Sequence, residues 1–456
     1  MSFGRAVVIG GSISGLLSAA ALSETFDAVT IVERDELPHG PEHRRGVPQG
    51  LQVHALLAVG QEAMEDLLRG LGEDFQAAGG VVVDSPADLA VYTAQGWSGR
   101  VESEARVVCM RRPALEWVIR RRVAELPNVE IVKATAAGLI GTDDAGRVTG
   151  VTLRGSAAAS ISADLVVDAS GRSSRAGAWL ENLGYDKPRE VELRSFIGYA
   201  TVPVRLPEDA LPEGVKGVLA HPHPGNPQGA AVVPCDNGLY LVAGLGMVHA
   251  DPPSDREEFL AHLDKAPSPL VGEIARKAEF LAPVETYRMP GSRRRLWEEL
   301  ERMPEGFVLV GDAVMSFNPL YGQGMSVAAV EARLMRDVVR DSAGERTGLA
   351  SRIQRSFKDT IDTVFGMVVN IDGLYDDAEL LGVDRPSAEA VTAGRYLSQL
   401  ATEDVETCLA QKYAAHYFSA DKVRSQSIQD KLREWIASGR EVTHTDPRCI
   451  PEIMRR

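Results

Sequence analysis

The stretch Ala6-Val7-Val8-Ile9-Gly10-Gly11-Ser12-Ile13-Ser14-Gly15 decides how this chain folds. Four apolar, strand-prone residues run into a glycine turn, and Leu16, Leu17, Ala20 and Leu22 then recur at helical spacing. Ala28-Val29-Thr30-Ile31-Val32 reads as a second strand that closes on Glu33 and Arg34. Strand, turn, helix and strand with a terminal acid is the order of a dinucleotide-binding unit. Gly10 permits the tight turn, and Ser12 stands where the middle glycine of G-x-G-x-x-G would be. A small residue there still lets backbone approach phosphate. Gly15 lets helix and strand pack closely. The amides of Ile13 and Ser14 open the helix at its positive end and suit a pyrophosphate. Glu33 follows Gly15 by 18 residues, where a carboxylate accepts ribose hydroxyls.

The rest of the composition narrows the class. A chain of 456 residues holds two to four domains' worth of core. With 44% hydrophobic and 25% charged residues it is an ordinary globular chain, which excludes disorder as its main state. Lys and Arg number 49 against 64 Asp and Glu, a net charge of −15 that disfavours nucleic acid and anionic membrane surfaces. No run reaches the roughly 20 apolar residues of a membrane span. Cys109, Cys235, Cys408 and Cys449 are scattered without C-x-x-C spacing. With a start that runs straight into a strand, this predicts a reducing, cytoplasmic setting and no metal site.

Two later motifs say which dinucleotide. Leu165-Val166-Val167-Asp168-Ala169-Ser170-Gly171-Arg172-Ser173-Ser174-Arg175 is a strand ending in Asp and a small-residue turn. Gly306-Phe307-Val308-Leu309-Val310 is another strand, leading to Gly311-Asp312 and then Asn318-Pro319-Leu320-Tyr321-Gly322-Gln323-Gly324-Met325 before a helix over about 327–339. A carboxylate at a strand end, a Pro/Gly loop and a helix start with bare amides can support negative charge on a ligand ring. Together these motifs resemble the FAD-dependent monooxygenases of the para-hydroxybenzoate hydroxylase fold, and within them the squalene-epoxidase-like and polyether epoxidase branch. The resemblance spans the start of the chain to about residue 340. It implies that Asp312 binds the ribityl region and that Gly322, Gly324 and Met325, with Pro319, bring amides to the flavin pyrimidine edge. Arg44-Arg45-Gly46-Val47 resembles the segment that touches the isoalloxazine, and Arg112-Pro113-Ala114-Leu115-Glu116 the arginine-led helix that reaches FAD. His54 is weighed as a pocket residue against the commoner structural histidine.

The expected architecture is α/β: a Rossmann-like, glutathione-reductase-type FAD domain over 1–80, 100–180 and 280–340. An antiparallel-sheet substrate domain is inserted over 81–99 and 181–279, and a helical region covers 341–456. Val81–Val83 and Leu89–Tyr92 are short strands assigned to the substrate side, and Asp236-Asn237-Gly238 is a hairpin turn. His221-Pro222-His223-Pro224-Gly225 reads as a rigid surface loop and not a metal site, and Arg293-Arg294-Arg295 as a solvated face or a salt-bridge set just before a helix. Helices are expected over 353–370, 388–400, 405–417 and 428–437, with Phe365, Met367 and Tyr375 as candidate cavity-lining residues.

The resemblance implies one oxygen atom from O2 inserted, by hydroxylation or epoxidation, into an apolar or aromatic small molecule through a flavin hydroperoxide. A natural-product intermediate is the expected substrate. There is one glycine fingerprint, so electrons come from transiently docking NAD(P)H or from a separate flavin reductase. No Ser/His/Asp, Cys/His or paired-carboxylate set stands out, and no catalytic side chain is named. A flavin-dependent halogenase shares the fold, but none of the five tryptophans lies in a Trp-x-Trp-x-Ile-Pro segment. A non-oxygenating flavin reductase or cyclase, and a FAD-binding interaction protein, are the remaining alternatives.

Overall fold

The computed structural model describes residues 3–142, 144, 146–440 and 446–454. The N-terminal pattern folds as β1 (Arg5–Ile9), α1 (Ile13–Ser23) and β2 (Ala28–Glu33). Later segments add α2 (Arg112–Ala124), β3 (Val129–Lys133), β4 (Leu165–Asp168), β5 (Phe307–Leu309) and α3 (Gly324–Asp341). The five strands form one parallel sheet in the order β5-β4-β1-β2-β3. Their sequences lack alternation because both faces are covered: Ala6, Val7, Val8, Val166, Val167, Val308 and Leu309 are all fully buried. The helix α1 is apolar nearly all round because it lies between that sheet, α2 and α3. This is the mixed α/β architecture of FAD-binding flavoproteins.

A large mostly antiparallel sheet follows, built on Ile197–Arg205, Tyr240–Gly246, Gln228–Pro234 and Gly217–Ala220. Leu89–Thr93 extends it by pairing parallel to Gly217–Ala220. The hairpin turn at Asp236-Asn237-Gly238 has φ of 61° at Asn237 and 70° at Gly238, as Asn-Gly permits. One face of this sheet packs on the helices Arg256–Leu263 and Leu270–Lys277 through Val202, Val218, Val232 and Phe259. The opposite face, with Tyr199, Ala231, Ala243 and Leu245, joins the core of the parallel-sheet layer. Asp236, 1% exposed, accepts hydrogen bonds from the Arg111 amide (2.7 Å) and Arg111 Nε (2.9 Å). The hairpin is thereby tied to the residue that precedes α2.

Three expectations change. Val81–Asp84 is not in the large sheet; it pairs with Arg106–Cys109, which also pairs with Ala55–Leu56 in a separate three-stranded sheet. Arg293–Arg295 precedes no helix: it belongs to the strand Ser292–Arg295, followed by a single short turn at Trp297–Glu299, and of the two readings of the run the salt-bridge set holds, with Arg294 and Arg295 buried. Their guanidiniums are accommodated by pairing, since Arg295 Nε meets Glu190 (3.0 Å) and Arg294 Nη1 meets Asp362 (2.6 Å). The helix expected over 353–370 is two helices, Leu349–Ser356 and Lys358–Asp372, broken at the fully buried Phe357. The later helices form at Ala388–Leu400, Val405–Tyr417 and Gln426–Ser438.

Residues 446–454 return to the edge of the large sheet. Trp97 Nε1 donates to Asp446 O (3.2 Å), Arg100 Nη1 to Pro451 O (3.1 Å), and the Met454 amide to Arg100 O (2.8 Å). No described helix is long and apolar enough to cross a membrane.

A Cβ at Gly15 would lie 1.8 Å from Gly10 O and 3.4 Å from Val8 Cγ1. Relief requires α1 to move off β1. The Gly15→Ala variant should lose about 3 kcal/mol of stability, read as a lower denaturant midpoint, with much of the chain insoluble on expression.

Candidate functional site

Three turns meet at the carboxyl edge of the parallel sheet. The Val310 amide donates to Asp168 O (3.1 Å), which joins the turn after β5 to the turn after β4. A Cβ at Gly10 would lie 2.6 Å from Ala169 O, and one at Gly311 would lie 2.0 Å from Ser14 Oγ. The first turn therefore touches both of the others, the second backbone to backbone and the third through the Ser14 side chain. At Gly311, φ is 58°, so glycine is required for conformation as well as space.

The start of α1 is bare. Ser12 caps it without a side-chain hydrogen bond, and its first turn holds no acid. Ser12 Oγ instead donates to Glu116 Oε2 (2.8 Å) and accepts from Arg112 Nη2 (2.9 Å). Glu116, 5% exposed, also accepts from Arg44 Nε (2.7 Å), and Arg44 Nη1 reaches Asp35 (2.9 Å) and Glu33 (3.4 Å). Two guanidiniums are thus held against one buried carboxylate. Burial opposes the charge on Arg44, but Glu116 and Glu33 outweigh it and push its pKa up. Burial pulls Arg112 down despite Glu116. Arg112 Nη1 sits 3.0 Å from Glu116 yet makes no hydrogen bond, so a buried donor is left at the mouth of α1.

Asp312 stands on the turn after β5. Among the described residues its carboxylate has no hydrogen-bond partner, burial raises its pKa, and Arg172, Arg112, Arg293 and Arg295 act against that rise. The Gly311 amide donates to Glu331 Oε2 (2.6 Å), while Glu331 Oε1 has no partner. Full burial on α3 pushes Glu331 up to about 8. Gly322 turns the loop in the left-handed region (φ 66°). Gln323 opens α3 with no side-chain cap, no acid in the first turn, and its own buried Oε1 unpartnered. The amides of Gly324 and Met325 therefore have no side-chain partner.

Behind the loop lies a polar knot that the sequence did not announce. Asp372, fully buried, accepts from Ser195 Oγ (2.8 Å), Asn318 Nδ2 (3.0 Å) and Tyr321 Oη (2.5 Å). Asn318 Oδ1 accepts from Tyr199 Oη (3.0 Å) and the Leu320 amide (3.0 Å). Burial raises Asp372 above its usual range against those donors. The knot fixes the Asn318–Gly324 loop between the large sheet and the helix Lys358–Asp372. Met367 Sδ, 3.7 Å from Gln323 Nε2, is the member of the expected C-terminal trio that meets this loop, whereas Phe365 and Tyr375 are core. His54 is also at the site. Its Nδ1 pairs with Gln52 O (2.9 Å), so Nδ1 is the donor and Nε2 the free acceptor. Burial, with Arg112 nearby, lowers it to about 4 and keeps it neutral.

The expected residues do not all face the cleft. Asp168 is fully buried and its carboxylate serves its own turn, accepting from the Ser170 amide (2.9 Å) and Ser174 Oγ (2.6 Å). Glu33 accepts from the Gly11 amide (2.7 Å) and the Asp35 amide (2.8 Å) and borders a cleft of about 390 Å³ with Pro38, Trp117 and Lys133. Gly46 donates its amide to Asp35 (2.8 Å) and Val47 is buried. Arg34 and Arg45 are exposed, and Arg34 reaches the buried ion pairs only at their rim, through Asp35 (4.0 Å). Gly171 (φ 79°) has open space beside it, next to an unpartnered Ser170 Oγ. Glu116, Asp372 and Glu331 were missed as site residues. Only Glu116 had a visible signal, four residues after Arg112 on one helix face.

Removing Glu116 leaves Arg44 and Arg112 buried without their shared anion. Glu116→Ala should cost about 3–5 kcal/mol in chemical denaturation. Glu331 gives a pH prediction. The folded chain holds its proton up to about pH 8, whereas an unfolded glutamate releases it near 4.5. Stability is therefore full below 4.5 and falls as pH rises through 8. Glu331→Gln keeps the acceptor and has no proton to lose, so the drop in Tm between pH 5 and 8 should shrink by about 2–4 °C in calorimetry.

No family model matches the chain. Among solved structures it is similar to a triple mutant of the flavin-dependent brominase Bmp2 (TM-score 0.66, 15% identity, covering 95% of this chain and 98% of that one). It is also similar to PqsL, a probable FAD-dependent monooxygenase from Pseudomonas aeruginosa (TM-score 0.59, 15% identity, 91% and 99%). At such identities these likenesses show the fold, which is that of flavin-dependent enzymes. Among curated proteins it is 26% identical over 371 residues to digeranylgeranylglycerophospholipid reductase 2 of Methanopyrus kandleri, covering 79% of this chain and 82% of the relative. It is 34% identical over 376 residues to protein Rv3254 of Mycobacterium tuberculosis, covering 80% of this chain and 79% of the relative. With identity sustained over that length, the chain belongs to the family of protein Rv3254.

Proposed function

We propose that this protein is an FAD-dependent monooxygenase that places one oxygen atom from O2 into an apolar or aromatic small molecule. The observation that carries the FAD assignment is the set of unpartnered groups around the three turns: the bare start of α1, the Asp312 carboxylate and the uncapped start of α3. A ligand with a pyrophosphate, a polyol and an electron-poor ring would use all three. The amides of Ile13 and Ser14 with Arg112 suit the pyrophosphate, and Asp312 the ribityl hydroxyls. The amides of Gly324 and Met325 suit the ring's pyrimidine edge. The cleft beside Glu33 and Trp117 suits the adenosine half. When bound, FAD supplies electrons that dioxygen accepts one at a time.

The chain's own groups set the conditions for that chemistry. The start of α3 offers positive potential where negative charge gathers on a reduced ring. The polar knot between the large sheet and the helix Lys358–Asp372 holds the Asn318–Gly324 loop, and with it the start of α3, in place. His54, neutral with Nε2 free, can accept a hydrogen bond from a ligand. The epoxidase-like assignment, the natural-product setting and the choice between NAD(P)H and a separate reductase belong to the same reading. A second reading, a flavin reductase that uses no oxygen, is favoured by the reductase named among the curated relatives.

The purified chain should be yellow, with one FAD per chain by absorbance. Asp312→Ala should lower FAD affinity by about ten-fold or more, read by equilibrium dialysis, while the far-UV spectrum stays unchanged. A colourless protein that refuses added FAD would end the assignment. Substrate turnover that continues without oxygen would replace the monooxygenase with the reductase.

A further inference from the structure

The strands Ile197–Arg205 and Tyr240–Gly246 pair antiparallel, and their last rung sets Gly198 opposite Gly246. The chain enters the first strand through Ser195-Phe196 and leaves the second through Met247-Val248-His249, so two corners face each other beyond that rung. Hydrogen bonds and a ring stack join them. The Val248 amide donates to Ser195 O (2.8 Å) and the His249 amide to Phe196 O (3.3 Å). The Phe196 and His249 rings stack with centroids 4.1 Å apart.

Both corners are left-handed: φ is 44° at Phe196, 46° at Val248 and 69° at His249. Of the six described residues other than glycine with positive φ, three meet at this one junction. Such a backbone is uncommon for any side chain and a clear outlier for a β-branched one such as valine. It persists only where its surroundings enforce it. The stack and the two amides do so here. A Cβ at Gly246 would lie 1.9 Å from Ala250 O, so the second corner is also folded hard against its own strand.

Three routes lead from the corners to the fully buried Asn318. Ser195 Oγ donates to Asp372 (2.8 Å), which accepts from Asn318 Nδ2 (3.0 Å). The Phe196 amide donates to Pro290 O (2.8 Å), two residues before Ser292, whose Oγ accepts from the Asn318 amide (2.8 Å). Met247, 1% exposed, sets its Sδ 3.7 Å from Asn318 Nδ2. Asn318 opens the loop that Gly322 turns into α3, and its Oδ1 accepts from the Leu320 amide (3.0 Å).

We propose that Phe196 and Val248–His249 form a strained clamp that positions Asn318 and, through its loop, the start of α3 against the flavin ring. The last step rests on the FAD reading. Phe196 and Val248 are positioning residues that act through Asn318. Glycine at such a corner would relax the backbone and also let it wander, so stability and order at the loop should move in opposite directions.

The test compares Val248→Gly, Val248→Ala and Val248→Ile in the full chain. At an ordinary φ alanine is more stable than glycine. At this φ the order should reverse, with Val248→Gly melting about 1–2 °C above Val248→Ala. Without cofactor, the amides of peptides spanning 318–326 should exchange hydrogen about five-fold or more faster in Val248→Gly than in wild type. Val248→Gly should also bind FAD about three-fold or more weakly. Its bound FAD should have a lower midpoint potential, because the start of α3 no longer holds its positive end on the ring. Val248→Ile should match wild type throughout. A purely structural role would lower Tm and FAD affinity together. An alanine variant more stable than the glycine one, or unchanged exchange over 318–326 in Val248→Gly, would overturn the clamp. A yellow chain whose FAD affinity and potential ignore Val248→Gly would also overturn it and leave the FAD reading standing. A colourless chain with the reversed stability order and the faster exchange would sink the FAD reading and keep the clamp on its loop.

Discussion

The arrangement depends on how closely three stretches of backbone can approach one another at the carboxyl edge of the parallel sheet. Gly10 lies against Ala169, Gly311 lies against Ser14, and Gly15 lies against Gly10 itself. None of these contacts tolerates a Cβ without displacement, so the permitted residue at each is set by space. Once they are made, the start of α1 and the turn that carries Asp312 are held side by side at that edge. The electrostatic character of the site follows from this packing. Its most distinctive property is a set of helix-start amides with no side-chain acceptor.

A second layer of constraint keeps those helix starts in place. Glu116 holds Arg44 and Arg112 at α1, and Asp372 holds Asn318, Tyr321 and Ser195 behind the loop that leads to α3. Both carboxylates are buried and multiply bonded, and each gathers groups from segments far apart in sequence. Such knots contribute little net stability compared with apolar packing of equal volume, but breaking one leaves stranded charges. They specify where a loop sits more than how tightly the chain folds.

The parallel layer could be read from sequence because each of its signals is local. Val7, Val8, Val166 and Val308 are strand-prone and apolar on both faces, and the glycine spacing around Ser12 fixes a strand-to-helix turn within ten residues. The Asn237-Gly238 turn was legible for the same reason, since positive φ selects its residues. What escaped was non-local. Val81–Asp84 looks like any short strand, and only its partner, Arg106–Cys109, assigns it to a separate sheet. Arg293–Arg295 reads equally as a solvated face or a salt-bridge set until its partners, Glu190 and Asp362, arrive from distant segments. Asp372 ends an ordinary amphipathic helix, and no spacing rule ties it to Ser195, 177 residues away. Phe357 interrupts a helix that its own periodicity would have continued.

The returning segment over 446–454 has a consequence for solubility. Gly96–Trp97 is the last strand of the large sheet, and a bare last strand offers its free amides and carbonyls to any other extended chain. Here the indole of Trp97 and both sides of Arg100 are taken up by the chain's own tail. A protease that clipped the polypeptide just before Asp446 would uncover a ready template for intermolecular β-pairing. Shortened molecules would then precipitate by adding strand to strand, even though everything around the three glycine turns remained intact.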